Sequence, residues 1–203
     1  MEIEEEFGRI HPDDLWVYNK LQLSLSLGYL TGPIGAKVPK EGEYIIRPCI
    51  NFLGMGRNAR KIWLTPADDT SYYGHPGEFW CETFDGDHLS VDFCEGNPVL
   101  VVKGTKMDRS HVTIEESRWE KWEVIDKFVK FPLIFRNLLK RNKYVNIEYI
   151  GGRIIEAHFR TNPDFVWGNR VAIPVYKDQK LKCPPGYAFI ESEDYDRRGF
   201  YIR

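Results

Sequence analysis

Val145-Asn146-Ile147-Glu148-Tyr149-Ile150, then Gly151-Gly152, then Arg153-Ile154-Ile155-Glu156-Ala157-His158, is the most regular piece of this sequence. Two β-rich runs meet at paired glycines, which take positive φ without steric cost, so the stretch predicts a tight antiparallel hairpin. With Gly151 and Gly152 as the turn, Glu148 faces Ile155 and Ile147 faces Glu156. Glu156 and His158 then share a face, and Glu148 lies diagonally near Glu156. A one-residue bulge would bring both acids onto one face. Two carboxylates held together invite a divalent cation, and hard oxygen ligands beside phosphate oxygens suit Mg²⁺. The plainer reading is the solvated polar face of an ordinary hairpin.

Upstream, His11-Pro12-Asp13-Asp14 reads as the start of a helix that continues through Leu15 to Leu27 and ends at Gly28. Short strands are expected at 43–47, around 61–64 and at 78–82. A β-hairpin is expected from Leu89–Phe93 and Pro98–Val102, turning at Glu95-Gly96-Asn97. Residues 115–124 read as helical, and 131–143 as a stronger helix with Pro132 near its first turn. The tail predicts strands at 171–176, 187–190 and 200–202. Four segments follow: a lead-in over 1–40, a glycine-loop and strand subdomain over 41–105, a hairpin subdomain over 106–170 and a β-rich extension over 171–203.

The chain has 203 residues, 42% of them hydrophobic, enough for one compact domain or two small subdomains and too many for disorder. With 28 Lys and Arg against 30 Asp and Glu, no global field draws it onto nucleic acid or an anionic membrane. The basic run Arg136, Lys140, Arg141 and Lys143 is either a phosphate track or the solvated face of an amphipathic helix. No apolar run reaches the roughly 20 residues needed to cross a bilayer, and the start, Met1 to Glu6, is acidic where a signal peptide would be basic. A cytoplasmic protein without a membrane partner is therefore expected. Cys49, Cys81, Cys94 and Cys183 lack metal-ligand spacing and read as buried or half-buried thiols. The six tryptophans read as core anchors, and His88, after a turn, as solvated.

The hairpin resembles the metal-binding hairpin of ATP-grasp ligases, particularly the glutathione-synthetase-like branch. The resemblance implies Glu148 as the first metal acid and Glu156 as the carboxylate bridging two Mg²⁺ ions. His158 stands where the family has Asn, and Asn162 could supply the missing amide oxygen. Other pieces occur in the family's order. Asn19-Lys20-Leu21 resembles its leading helix. Tyr44-Ile45-Ile46-Arg47-Pro48 followed by Gly54-Met55-Gly56 is similar to its cation and glycine-rich flap, with Arg47 in place of Lys. Trp80-Cys81-Glu82-Thr83-Phe84-Asp85 is similar to its hinge, where Glu82 or Asp85 would hold the ribose hydroxyls.

The resemblance implies an α+β fold of two small subdomains whose antiparallel sheets grip the nucleotide between them. It also implies ATP and Mg²⁺ as cofactors and formation of an acyl phosphate that an amine attacks. Arg47 and Arg160 would absorb charge on the transferred phosphoryl group, although a salt bridge to Asp164 would account for Arg160 equally well. The acceptor would be a carboxylate substrate or a protein or peptide, with a partner subunit as one way to complete the site. A non-catalytic nucleotide-binding or assembly protein is the other reading, favoured by the Lys-to-Arg and Asn-to-His departures.

Overall fold

A computed structural model describes residues 10–50, 59–107, 118–194 and 196–203 of the chain. The fold is α+β, with two largely antiparallel sheets and little helix. The N-terminal segment is not the single helix expected from Pro12 to Leu27. A 3₁₀ turn over Pro12–Val17 comes first, held by i→i+3 bonds such as the Tyr18 N–H to the Leu15 carbonyl. Helix α1 (Lys20–Ser26) then restarts from Asn19, whose extended backbone and side-chain oxygen cap the Leu21 and Gln22 N–H groups. That cap divides the run.

The first sheet contains β1 (Thr31–Pro33), β2 (Gly42–Pro48), β3 (Arg60–Leu64) and β4 (Glu78–Glu82) in the order β1-β4-β2-β3, all antiparallel. Alternation along β2 turns Tyr44 and Ile46 inward, where they pack with Val38, Leu64 and Trp80. The polar tips of the two aromatics are satisfied: Tyr44 Oη–H donates to the Lys40 carbonyl and Trp80 Nε1–H to that of Ala36.

The second sheet contains β5 (His88–Cys94), β6 (Asn97–Lys106), β7 (Trp119–Val124), β8 (Tyr144–Ile150), β9 (Arg153–His158), β10 (Val171–Tyr176), β11 (Ala188–Glu191) and β12 (Arg197–Ile202). Their order is β11-β12-β10-β7-β6-β5-β8-β9. Its core includes Val102, Phe165, Ala172 and Phe200. Both expected hairpins form, one turning at Glu95 and Gly96, the other at Gly151 (φ +55°) and Gly152 (φ +80°).

Two helix expectations fail. Trp119–Val124 is strand β7, paired to β6. Its tryptophans are three apart, a helical spacing, but a register shift opposite Thr105 and Lys106 leaves Glu120 as an extra residue. Trp119 and Trp122 thereby reach the same side and stack at 4.3 Å. The 131–143 segment forms two 3₁₀ turns, Leu133–Phe135 and Leu138–Lys140. Phe135 and Leu138 are the buried pair, and their separation by three suits the 3.0-residue period.

The tryptophans are not all core anchors: Trp80 is buried, whereas Trp63 and Trp167 are 64% and 43% exposed. Cys183 is likewise exposed, unlike Cys81 in the interior and the half-buried Cys49 and Cys94. Two compact units divide the chain. The first holds the described residues up to Gly86 together with Ile150–Ala157, and the second holds the rest of the described residues.

Candidate functional site

In the first unit, Lys20 opens α1 and is only 6% exposed. Its Nζ lies 3.2 Å from Oε2 of Glu156 on β9. A buried ammonium needs such a partner to remain charged. Arg47, near the end of β2, lies over the Phe79 ring at 5.2 Å, and its Nη2 donates to the Ile155 carbonyl at 3.4 Å. Ile155 precedes Glu156, so β9 brings Lys20 and Arg47 to one short stretch of backbone. Lys20 meets the Glu156 carboxylate there, and Arg47 meets the neighbouring backbone carbonyl.

Burial pushes the Cys49 and Cys81 thiols up, and nearby Arg47 only partly opposes it. Neither is a ready nucleophile. Glu82, at the end of β4, accepts the Leu30 N–H on Oε1 at 2.9 Å. Asp85 is exposed, and its carbonyl packs directly against Gly151, where any Cβ would collide. Gly54 and Gly56 lie outside the described residues.

In the second unit, His88 is not solvated. Its Nε2 lies 3.0 Å from Oε2 of Glu148, and its ring meets Trp119 and Trp122 edge-on at 4.8 and 5.5 Å. Both tryptophans lie over Gly104, where even a methyl group would not fit. His158 is buried. Asn162 accepts the Asp164 N–H on Oδ1 at 2.9 Å, capping the 3₁₀ turn Pro163–Phe165. Arg160 donates from Nη1 to the Thr161 carbonyl at 3.1 Å, while Asp164 lies 3.6 Å from Arg197.

Glu148 is therefore engaged by His88, Glu156 by Lys20, and the Asn162 amide oxygen by a backbone N–H. Among the described residues no group of three or more His, Cys, Asp or Glu side chains is arranged to hold a metal ion. As it stands this donor set does not fit Mg²⁺, because Lys20 already sits on one acid and the His88 ring nitrogen on the other.

Sequence reasoning assigned no role to Lys20, although Asn19 before it is a clear capping residue. It also passed over Ser90, Asp92 and Asn146. His88, Ser90 and Asp92 recur at period two along β5, and that polar spacing within an apolar strand was the available signal.

No family model matches the chain, and no curated protein matches it. Solved structures do. The ATP-grasp ligase PsnB, complexed with a minimal precursor, matches at 16% identity and a TM-score of 0.45, over 75% of this chain and 54% of that one. A protein from Archaeoglobus fulgidus described under the ATP-grasp superfamily matches at 14% identity and a TM-score of 0.49, over 93% and 65%. An L-amino acid ligase from Bacillus licheniformis matches at 8% identity and a TM-score of 0.49, over 74% and 42%. Two of these three bear the ATP-grasp name. The chain spans about half the length of the ligases it matches. No helix among the described residues is long and apolar enough to cross a membrane.

Proposed function

We propose that the protein is an ATP-dependent ligase that activates a carboxylate for attack by an amine or similar nucleophile. The observation that carries this reading is that two cations, the buried Lys20 and the half-buried Arg47, meet β9 at adjacent residues, Glu156 and Ile155. ATP enters as its magnesium complex, and no step here depends on a metal held by the protein.

A carboxylate oxygen of the substrate attacks the γ-phosphorus, the bond to the bridging oxygen breaks, and ADP leaves. The amine then attacks the acyl carbon, inorganic phosphate departs, and the amine's proton passes to solvent. Positioning and charge stabilisation supply the catalysis. Lys20 and Arg47 would hold phosphate oxygens in the first unit. Glu82, with one carboxylate oxygen already fixed by Leu30, would offer the other to a ribose hydroxyl. Arg160, in the second unit, would bear charge on the transferred phosphoryl group. The buried thiols take no part.

The alternative, a nucleotide-binding module without turnover, draws on Lys20 already neutralising Glu156. ATP binding by calorimetry, together with ADP release over a panel of carboxylate and amine pairs, separates the two. For the ligase we expect ADP release that requires both carboxylate and amine. Lys20→Met and Arg47→Met should each weaken ATP binding by about 10-fold or more, the worth of a charge-assisted hydrogen bond. Unchanged affinity in both variants overturns the site, and ATP binding without turnover on any pair selects the binding module.

A further inference from the structure

The second unit carries a stripe of polar groups on one face of β5 and β8, where a sheet would ordinarily present apolar side chains to its core. His88, Ser90 and Asp92 alternate along β5, and Asn146 and Glu148 alternate along β8. Asp92 is 3% exposed and Asn146 2%. A buried carboxylate is costly unless every lone pair is used and a counter-charge is close.

Two donors and a nearby positive charge meet this one. Oδ1 of Asp92 accepts Asn146 Nδ2–H at 2.7 Å, and the Asn162 backbone N–H is shared between Oδ1 and Oδ2 at 2.9 and 3.0 Å. Ser90 Oγ accepts from Asn146 Nδ2 at 2.8 Å and from Asn162 Nδ2 at 3.1 Å. Asn162 is thus held through its backbone N–H, its amide nitrogen and its amide oxygen. Burial pushes the Asp92 carboxyl up, while the Asn162 and Asn146 donors and the positive charge of Arg160 pull it down. Arg160 lies two residues before the anchored Asn162, on the same short bend leaving β9.

We propose that Asp92 is the positioning residue for Arg160: its buried carboxylate, braced by Asn146 and Ser90, fixes the 160–162 bend and so the direction of the guanidinium. The proposal rests on the reading of Arg160 as the group that meets the transferred phosphoryl. An asparagine keeps an acceptor for both donors at Oδ1 but loses the second acceptor for the Asn162 N–H and the negative charge that faces Arg160. In this arrangement Asn162 is a strut of the bend.

The test uses the full chain labelled with ¹⁵N, with the Arg160 Nε–H signal assigned by its loss in Arg160→Lys. In Asp92→Asn, the Arg160 Nε–H resonance should shift and the Asn162 amide should exchange about 10-fold faster or more, while protection in β10 and β12 is retained. Asn146→Ala, which removes one brace and leaves the Asn162 bond, should move the same signals in the same direction by less. In turnover, Asp92→Asn should lower kcat by about 10-fold with KM for ATP within about 2-fold. An Arg160 signal unmoved in both variants, or protection lost evenly over the sheet, overturns the proposal. Failure of the unaltered protein to bind ATP overturns the ligase reading instead, and the exchange measurement then decides this one by itself.

Discussion

Glu78 shows how one carboxylate makes the stability of the first unit depend on pH. It receives two hydrogen bonds from Arg60, at 2.8 and 2.7 Å, and one from the His75 N–H. The Arg60 bonds hold its carboxyl below the usual range. A lowered folded-state value means that the stabilisation is complete above the unfolded carboxylate range and disappears as pH falls through the folded value. Glu78→Gln should therefore lose about 2 kcal/mol near neutral pH and differ little from the parent in strong acid, read by urea titration across pH. Asp92 has the opposite sign: its raised value makes its contribution favourable on acidification and lost as pH rises through the folded value. Lys20→Met should cost about 3 kcal/mol by the same titration, since it removes the ammonium facing Glu156 in a nearly dry site. None of these partners is adjacent in sequence, and Lys20 is separated from Glu156 by most of the chain. A run such as Asn19-Lys20-Leu21 announces a cap and a helix, but the carboxylate it will meet is set only by tertiary packing.

Among the elements, those specified by local chemistry were legible. Paired glycines at 151 and 152 and the Glu95-Gly96 turn mark both hairpins, whereas the period-two pattern of β5 does not mark a buried face, since Leu89 to Phe93 are all buried. Elements shaped by long-range pairing were not. The Trp119–Trp122 spacing imitates a helix because a bulge resets the parity of β7, and nothing near Glu120 reveals that β6 will be its partner. The 131–143 run has helical composition, yet the core accepts only Phe135 and Leu138. Gly151→Ala is expected to be severe, at about 2 kcal/mol or more, because a positive φ and the Asp85 carbonyl both exclude a Cβ. Asn19→Ala should cost about 1 kcal/mol by removing the cap of α1. Thermal melts of the two variants check both figures and their order.

At the scale of the molecule, the order of motifs along the chain carried the functional reading, and the division into compact units did not follow from it. The first unit is completed by Ile150–Ala157, a piece remote in sequence, so no linear segmentation could trace its boundary. Each unit has its own apolar centre. Phe200, fully buried in the second, should cost about 3–5 kcal/mol when truncated to Ala, with amide exchange rising first in β10 and β12. ATP at 100-fold above its Kd should raise stability by about 2.7 kcal/mol through mass action, seen as a concentration-dependent Tm.

Strand β3 forms an outer margin of the first sheet, with the Lys61–Glu43 ion pair and the upright Trp63 on the side chains that leave its surface. A sheet edge of this kind can recruit a further ribbon from a neighbouring molecule, and a charged lysine on it works against fibrillar stacking. Replacing Lys61 with Val would leave the interior untouched and yet make the protein cloud at lower concentration than the parent, which light scattering would register.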